Sequence, residues 1–233
     1  VLLAAGGVIS FLFTLRADPA NRPILRFACT YSNAAYMGFP LISVLFGSEG
    51  LLYASAFVTV FIILLWTQGV LMLQGARLNL RQTVRTIVTT PVLLAVAAGL
   101  ILYLSQAPVP ELIRTPLEMI SNMNTPLSRF ITGMMIAESD LKKLFSRRGL
   151  ASAILIRLAA IPAVCFILYR LLGVSGMAAQ VVLLLEACPC AAITSVFAIR
   201  FGCDQELAAG AVVGSTLFSI ISLPLCALIL SGA

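Results

Sequence analysis

Apolar positions run along this chain in long unbroken blocks, without the period of two or 3.6 that a half-buried strand or an amphipathic helix would show. Blocks at 1–15, 24–46, 50–74, 87–104, 116–137, 150–172, 177–200 and 206–230 are separated by short polar turns. A helix needs roughly 20 apolar residues to cross a hydrocarbon core, so the pattern predicts eight membrane spans. The first block is short of that length and starts without methionine, which predicts a truncated chain. A signal peptide does not fit, because no basic region precedes the block and 16–23 is a polar loop rather than a cleavage site.

Two blocks carry residues that do not belong in an ordinary helix. The later one contains Glu186-Ala187-Cys188-Pro189-Cys190-Ala191-Ala192-Ile193-Thr194-Ser195. Pro189 removes a backbone donor and strands the carbonyl of Leu185, while Glu186 puts a carboxyl near the centre of the span. In lipid an unsatisfied backbone group costs several kcal/mol and a central acid roughly 2.5 to 3.5 kcal/mol, so such a break persists only beside protein or a wet cavity. The earlier block contains Ser32-Asn33-Ala34-Ala35-Tyr36-Met37-Gly38-Phe39-Pro40. There Pro40 releases the carbonyl of Tyr36, Gly38 admits a close backbone, and Asn33 brings a donor and an acceptor to mid-span. For either block alone, a proline kink stitched to a neighbouring helix is an equal reading. Two breaks in corresponding spans favour a site.

Correspondence comes from an internal repeat with an offset of about 155 residues. Phe46-Gly47 matches Phe201-Gly202, Glu49 resembles Asp204, and Leu52, Ala54, Ala56 and Val58 match Leu207, Ala209, Ala211 and Val213. The offset pairs Pro189 with Ala34 and Pro40 with Ser195, so the breaks align only approximately. Copies five spans apart run in opposite directions through a membrane. The pattern therefore predicts inverted repeats with two broken crossover helices, an architecture by which secondary transporters build a site at the midplane.

Composition agrees with the class: 61% of residues are hydrophobic and 10% charged, with a mean hydropathy of +1.06. An all-α polytopic membrane protein is expected. The net charge of +6 is scattered over short loops, which argues for membrane orientation and against nucleic acid. Arg16, Arg22 and Arg26, then Arg77, Arg81 and Arg85, then Lys142, Lys143, Arg147 and Arg148 mark alternate loops as cytoplasmic. Six cysteines lie mostly in or beside apolar runs and read as reduced and buried.

Asn33 with Gly38-Phe39-Pro40, Cys188-Pro189-Cys190-Ala191-Ala192 followed by Phe201-Gly202 and Asp204, and Ser215-Thr216-Leu217-Phe218-Ser219-Ile220 with Pro224 together resemble the auxin efflux carrier family in its bacterial branch. The resemblance covers the whole chain and implies ten spans in two inverted bundles of five, with the fourth and ninth broken and crossing. It implies that this chain lacks the first two spans. Residues 1–74 would be the rest of the first repeat, with its crossover near 33–40. Residues 75–86 would be a cytoplasmic linker, and 87–233 the second repeat, with its crossover near 186–195. It also implies a multi-pass protein of the inner (cytoplasmic) membrane that carries a small organic anion, such as malate, malonate or an auxin-like carboxylate. Ala35 and Ile193 depart from the family pattern, and Thr194 is the polar group nearest the second departure.

The expected site comprises Asn33, Tyr36, Gly38, Pro40, Asn122, Asn124, Arg129, Glu186, Cys188, Pro189, Thr194 and Ser195. Asn122, Asn124, Thr125 and Pro126 give the fifth span polar groups that either face the crossover or knit helices together. Arg129 keeps its charge in any protein environment, so it pairs either with an acid such as Glu186 or with a substrate carboxylate. Glu186 is expected to be paired or protonated during part of the cycle. Arg157 is expected to snorkel and Pro162 to kink. Three other readings compete. Cys188 and Cys190 suit a soft metal ion; Glu186 with a cysteine suits an intramembrane enzyme, although the chain has no histidine; and a sensor could keep the fold without transport. A coupling proton or sodium ion and a homodimer stay open as partners, with no cofactor or resident metal expected.

Overall fold

The computed structural model describes residues 2–74, 85, 89, 91–138 and 149–231, and for 2–4, 124, 125, 128, 129, 132, 135, 138 and 231 the backbone alone. The expected linker at 75–86, Arg85 apart, and the basic loop of Lys142, Lys143, Arg147 and Arg148 lie outside the described residues. What is described is helical, as an apolar backbone away from water requires. Among the described residues, three helical stretches, Ala34–Gln74 (kinked at Gly47), Leu150–Leu171 and Gln205–Leu230, are long and apolar enough to cross a membrane.

Helix α1 (Leu2–Thr14) and α2 (Arg22–Thr30) form a hairpin. Arg22 donates to the carbonyls of Leu15 and Ala17, and Arg26 donates to Thr14 Oγ1 at 2.6 Å while stacking over Phe11. After a break the chain winds a π turn at Ala34–Gly38, then α3 (Phe39–Leu64), a second π turn at Leu65–Gly69, and α4 (Val70–Gln74). Helices α5 (Pro91–Ser105) and α6 (Glu111–Glu138) follow. Then come α7 (Leu150–Leu155), a third π turn at Ile156–Ala160, and α8 (Ile161–Leu171). The chain closes with α9 (Met177–Ala187), α10 (Ile193–Phe201) and α11 (Gln205–Ser231).

The sequence accounts for the interruptions. Pro40 and Pro162 each stand just after a π turn, where the widened ladder absorbs the donor that proline lacks. Gly47 (φ 59°) turns the chain inside α3, and Gly202 (φ 67°) ends α10. These are the glycines that the sequence pattern matched, and both adopt a positive φ that side chains disfavour, Gly202 in the αL region and Gly47 at ψ −150°. Beyond Gly202, Asp204 Oδ1 accepts the amide of Leu207 at 2.9 Å and starts α11. The blocks expected at 24–46 and 177–200 are thus each two helical pieces, α2 with the start of the Ala34–Gln74 helix, and α9 with α10.

The core gathers where these pieces meet. Phe27 lies 4.8 Å from Tyr31 and 5.4 Å from Phe197, ring to ring, and Trp66 meets Phe197 edge-on at 5.2 Å. Tyr31 reaches across to donate to the carbonyl of Leu64 at 3.0 Å, at the start of the second π turn. Gly69 makes this possible: a Cβ there would stand 2.7 Å from the Phe27 ring and 2.9 Å from that of Tyr31. Helices α5 and α6 stand apart. Helix α5 touches α3, α6 touches α11 and the first π turn, and every described side chain from Glu111 to Phe130 is exposed. An outward face of Leu112, Leu117, Ile120 and Met123 suits contact with lipid.

Gly69→Ala is expected to destabilise the protein by about 1–3 kcal/mol through overpacking. Gly99→Ala on α5, where an added Cβ meets nothing within 4 Å, is expected to leave stability unchanged or slightly raised. Unfolding in detergent followed by fluorescence of Trp66, the single tryptophan, separates the two.

Candidate functional site: the crossing of two broken helices

Proline chemistry explains the second break. A residue before proline is pushed out of the α region, and Cys188 has φ −59° and ψ 151°, which ends α9 at Ala187. At the first break Tyr31 is extended, at φ −100° and ψ 119°. The two extended stretches lie antiparallel, with Ser32 opposite Cys190. Asn33 N–H donates to the Pro189 carbonyl at 2.7 Å, and Ala191 N–H donates to the Tyr31 carbonyl at 2.9 Å. Pro189 therefore sits where only its carbonyl is needed. The amide of Cys190 is taken by Ser215 Oγ of α11 at 3.0 Å. Gly38 permits the approach from the other side, since a Cβ there would overlap Leu185 and stand 3.6 Å from Cys188 Sγ.

Arg157 corrects an expectation. It does not snorkel; its side chain is fully buried at the crossing. Nε donates to the Cys188 carbonyl at 3.0 Å, and Nη1 donates to the carbonyls of Cys29 at 2.9 Å and Thr30 at 3.3 Å. Nη2 donates to the Glu186 carbonyl and, at 3.4 Å, to its Oε2. Glu186 is buried as expected, and Arg157 is its ion-pair partner. Removing one member of such a pair leaves an uncompensated buried charge, at a cost of about 3–5 kcal/mol. A signal for this was present in the sequence: Arg157 stands about two turns, roughly 10 Å, inside its span, deep for a residue meant to reach water.

The other expected residues divide. Asn33, Gly38, Glu186, Cys188, Pro189 and Thr194 are gathered at the crossing, with Thr194 Oγ1 donating to the Ala191 carbonyl at 2.6 Å. Among the described residues, the buried hydroxyls of Ser32 and Ser195 have no hydrogen-bond partner. Pro40 is half-buried in the first turn of α3, and Tyr36 on the π turn is exposed. Asn122 is exposed on α6, and the side chains of Asn124 and Arg129 lie outside the described residues. Glu118 pairs with Arg114 at 2.6 Å on the exposed face of α6. Ser215 and Tyr31 join the crossing without having been singled out as site residues. A cavity of about 230 Å³ between the ends of α8, α9 and α11, lined by Tyr169, Arg170, Gln180 and Leu230 among others, takes in none of the expected site residues.

Among the described residues no three His, Cys, Asp or Glu side chains gather as a metal would require. The guanidinium of Arg157 meets the main-chain carbonyl of Cys188, and the Cys188 thiol donates to the Leu184 carbonyl at 3.4 Å.

Comparison with known proteins gives two results. The family model described as membrane transport protein matches residues 1–227. An uncharacterized transporter of Methanothermobacter thermautotrophicus is 27% identical over 229 residues, which is 96% of this chain and 74% of that protein.

Ser32 and Cys190 face each other as a non-hydrogen-bonded antiparallel pair, for which the Cα atoms stand about 4.5 Å apart, within disulfide range. Ser32→Cys is expected to form a disulfide with Cys190 under mild oxidation, read by peptide mass spectrometry. A cross-link from 32 to any other cysteine, or none, would contradict the pairing. Gly38→Ala is expected to lower stability by about 1–3 kcal/mol, with recovery when Leu185→Ala is added in a double-mutant cycle.

Proposed function

The chain belongs to the membrane transport protein family, that of the auxin efflux carriers its motifs resemble, and on that premise we propose that it is a secondary carrier of a small organic anion working by alternating access. The carried class is a dicarboxylate such as malate or malonate, or an auxin-like carboxylate. The observation that supports this reading is the hydrogen-bonded crossing of the two breaks, Asn33 to Pro189 and Ala191 to Tyr31. Immediately beyond it the helical segments restart at Ala34 and Ile193. The amino ends of helices carry partial positive charge and free N–H groups, which suit a carboxylate. Asn33 and the unpartnered hydroxyls of Ser32 and Ser195 lie beside those ends and supply further polar contacts.

In this reading the two inverted repeats are 1–74 and 87–233, joined by a cytoplasmic linker at 75–86. The positive-φ glycines at 47 and 202 and the paired breaks support that division. The loops of Arg16, Arg22 and Arg26, of Arg77, Arg81 and Arg85, and of Lys142 to Arg148 face the cytoplasm of a cell whose inner membrane holds the protein. Arg129 supplies the countercharge for one substrate carboxylate, because Glu186 is engaged by Arg157 and Glu118 by Arg114. Transport follows when one bundle rocks against the other around the crossing.

Uptake of labelled malate, malonate and indole carboxylates by proteoliposomes holding the protein tests the proposal. Saturable uptake is expected. Asn33→Ala should reduce it at least about tenfold, the loss of one or two charge-assisted hydrogen bonds. Arg129→Gln should abolish it in a folded protein, and Arg129→Lys should weaken it by losing the bidentate fork. Absence of flux for every carboxylate would remove the carrier reading, and chemical conversion without flux would favour the enzyme.

A further inference from the structure

Five oxygens surround one guanidinium at the crossing: the carbonyls of Cys29, Thr30, Glu186 and Cys188, and Oε2 of Glu186. Their origin is common. Cys29 and Thr30 close α2, Glu186 lies in the last turn of α9, and Cys188 follows it. These are carbonyls that helix ends leave without intrahelical partners, and each helix carboxyl end carries about half a negative charge. Carbonyls of unwound backbone and half-helix carboxyl ends are what discontinuous helices use to coordinate a coupling cation. Here the centre is filled by a side chain of the third π turn.

We propose that Arg157 is a built-in cation, permanently holding the place that an exchangeable alkali-metal ion would take at the crossing, so that sodium does not bind there. The guanidinium has five N–H donors and does not lose its proton in a protein. Its bonds reach all five oxygens, and its side chain is fully buried. It cannot leave, because it is tethered to the helix that runs from Leu150 to Leu171. Two consequences follow. The crossing is held together in every state of the cycle without help from an ion, and a sodium gradient has no purchase at this point. The inference rests on the crossing, which the carrier reading shares, but not on the identity of the anion.

The test reads thermal stability of the purified full chain in detergent without any substrate, in sodium, lithium, potassium or choline chloride at equal ionic strength. The melting temperature of the unaltered protein is expected to be the same in all four. In Arg157→Ala the oxygens are left without their cation. That variant is expected to melt far lower in choline, and sodium or lithium should raise its melting temperature saturably by several degrees through binding to the folded state. Adding Glu186→Gln should weaken that response. Arg157→Lys, which keeps a charge on a tether, should fold and remain indifferent to the salt. A saturable sodium effect on the unaltered protein overturns the proposal, as does a folded Arg157→Ala that ignores every cation. An Arg157→Ala chain that stays unfolded in all four salts also overturns it, because the fork would then matter rather than the charge. As no anion is present, failure here leaves carboxylate uptake untouched, and failure of uptake leaves this result standing.

Discussion

Breaking a helix inside an apolar medium releases donors and acceptors that nothing around them can satisfy, and that constraint organises the centre of this protein. Two helices are broken, and each break supplies what the other lacks. The amide of Asn33 finds the carbonyl of Pro189, the amide of Ala191 finds the carbonyl of Tyr31, and Ser215 takes the amide of Cys190. Four further carbonyls, on Cys29, Thr30, Glu186 and Cys188, turn to Arg157. Neither break would be stable alone at a cost of several kcal/mol for each unsatisfied group.

Close packing makes this mutual satisfaction geometrically possible. Two backbones can exchange hydrogen bonds only if side chains stand clear, and Gly38 clears the path for Leu185 and Cys188. On the flank, Gly69 admits the rings of Phe27 and Tyr31, and the Tyr31 hydroxyl then ties the crossing to the second π turn through the Leu64 carbonyl. The π turns at Ala34–Gly38 and Ile156–Ala160 place the first crossing segment and the arginine, respectively, and each precedes a proline. Irregularity in the helices is thus concentrated at the place where it is used.

For a carrier, the result is a centre with a division of labour. Helix carboxyl ends and an acid are gathered around a fixed cation on one hand, and restarting helix amino ends with unpartnered serine hydroxyls are available on the other. In the proposed reading, an anion and the protein's own guanidinium occupy opposite poles of the same broken helices, each matched to the partial charge it meets. Beside this centre α6 touches the first π turn, and its described side chains from Glu111 to Phe130 are exposed.

Hydropathy alone determined the class of this protein, because 20-residue apolar blocks have no other stable home than a membrane or a core of the same character. The breaks were legible for the same reason: Pro40, Pro189, Asn33 and Glu186 are costly in such blocks, and cost marks function. Gly47 and Gly202 stood at matched turns of the sequence pattern, and both have a positive φ, with different ψ. Only the tertiary structure decided which groups answer the breaks. Arg157 is 29 residues from Glu186 and 128 from Cys29 along the chain, and although its depth in the span spoke against snorkelling, nothing in its local sequence named the groups it would meet. Its partners are mostly main-chain carbonyls, which carry no residue identity and leave no pattern in the sequence. That is why Glu186 could be read as an acid in need of a partner while the identity of that partner could not.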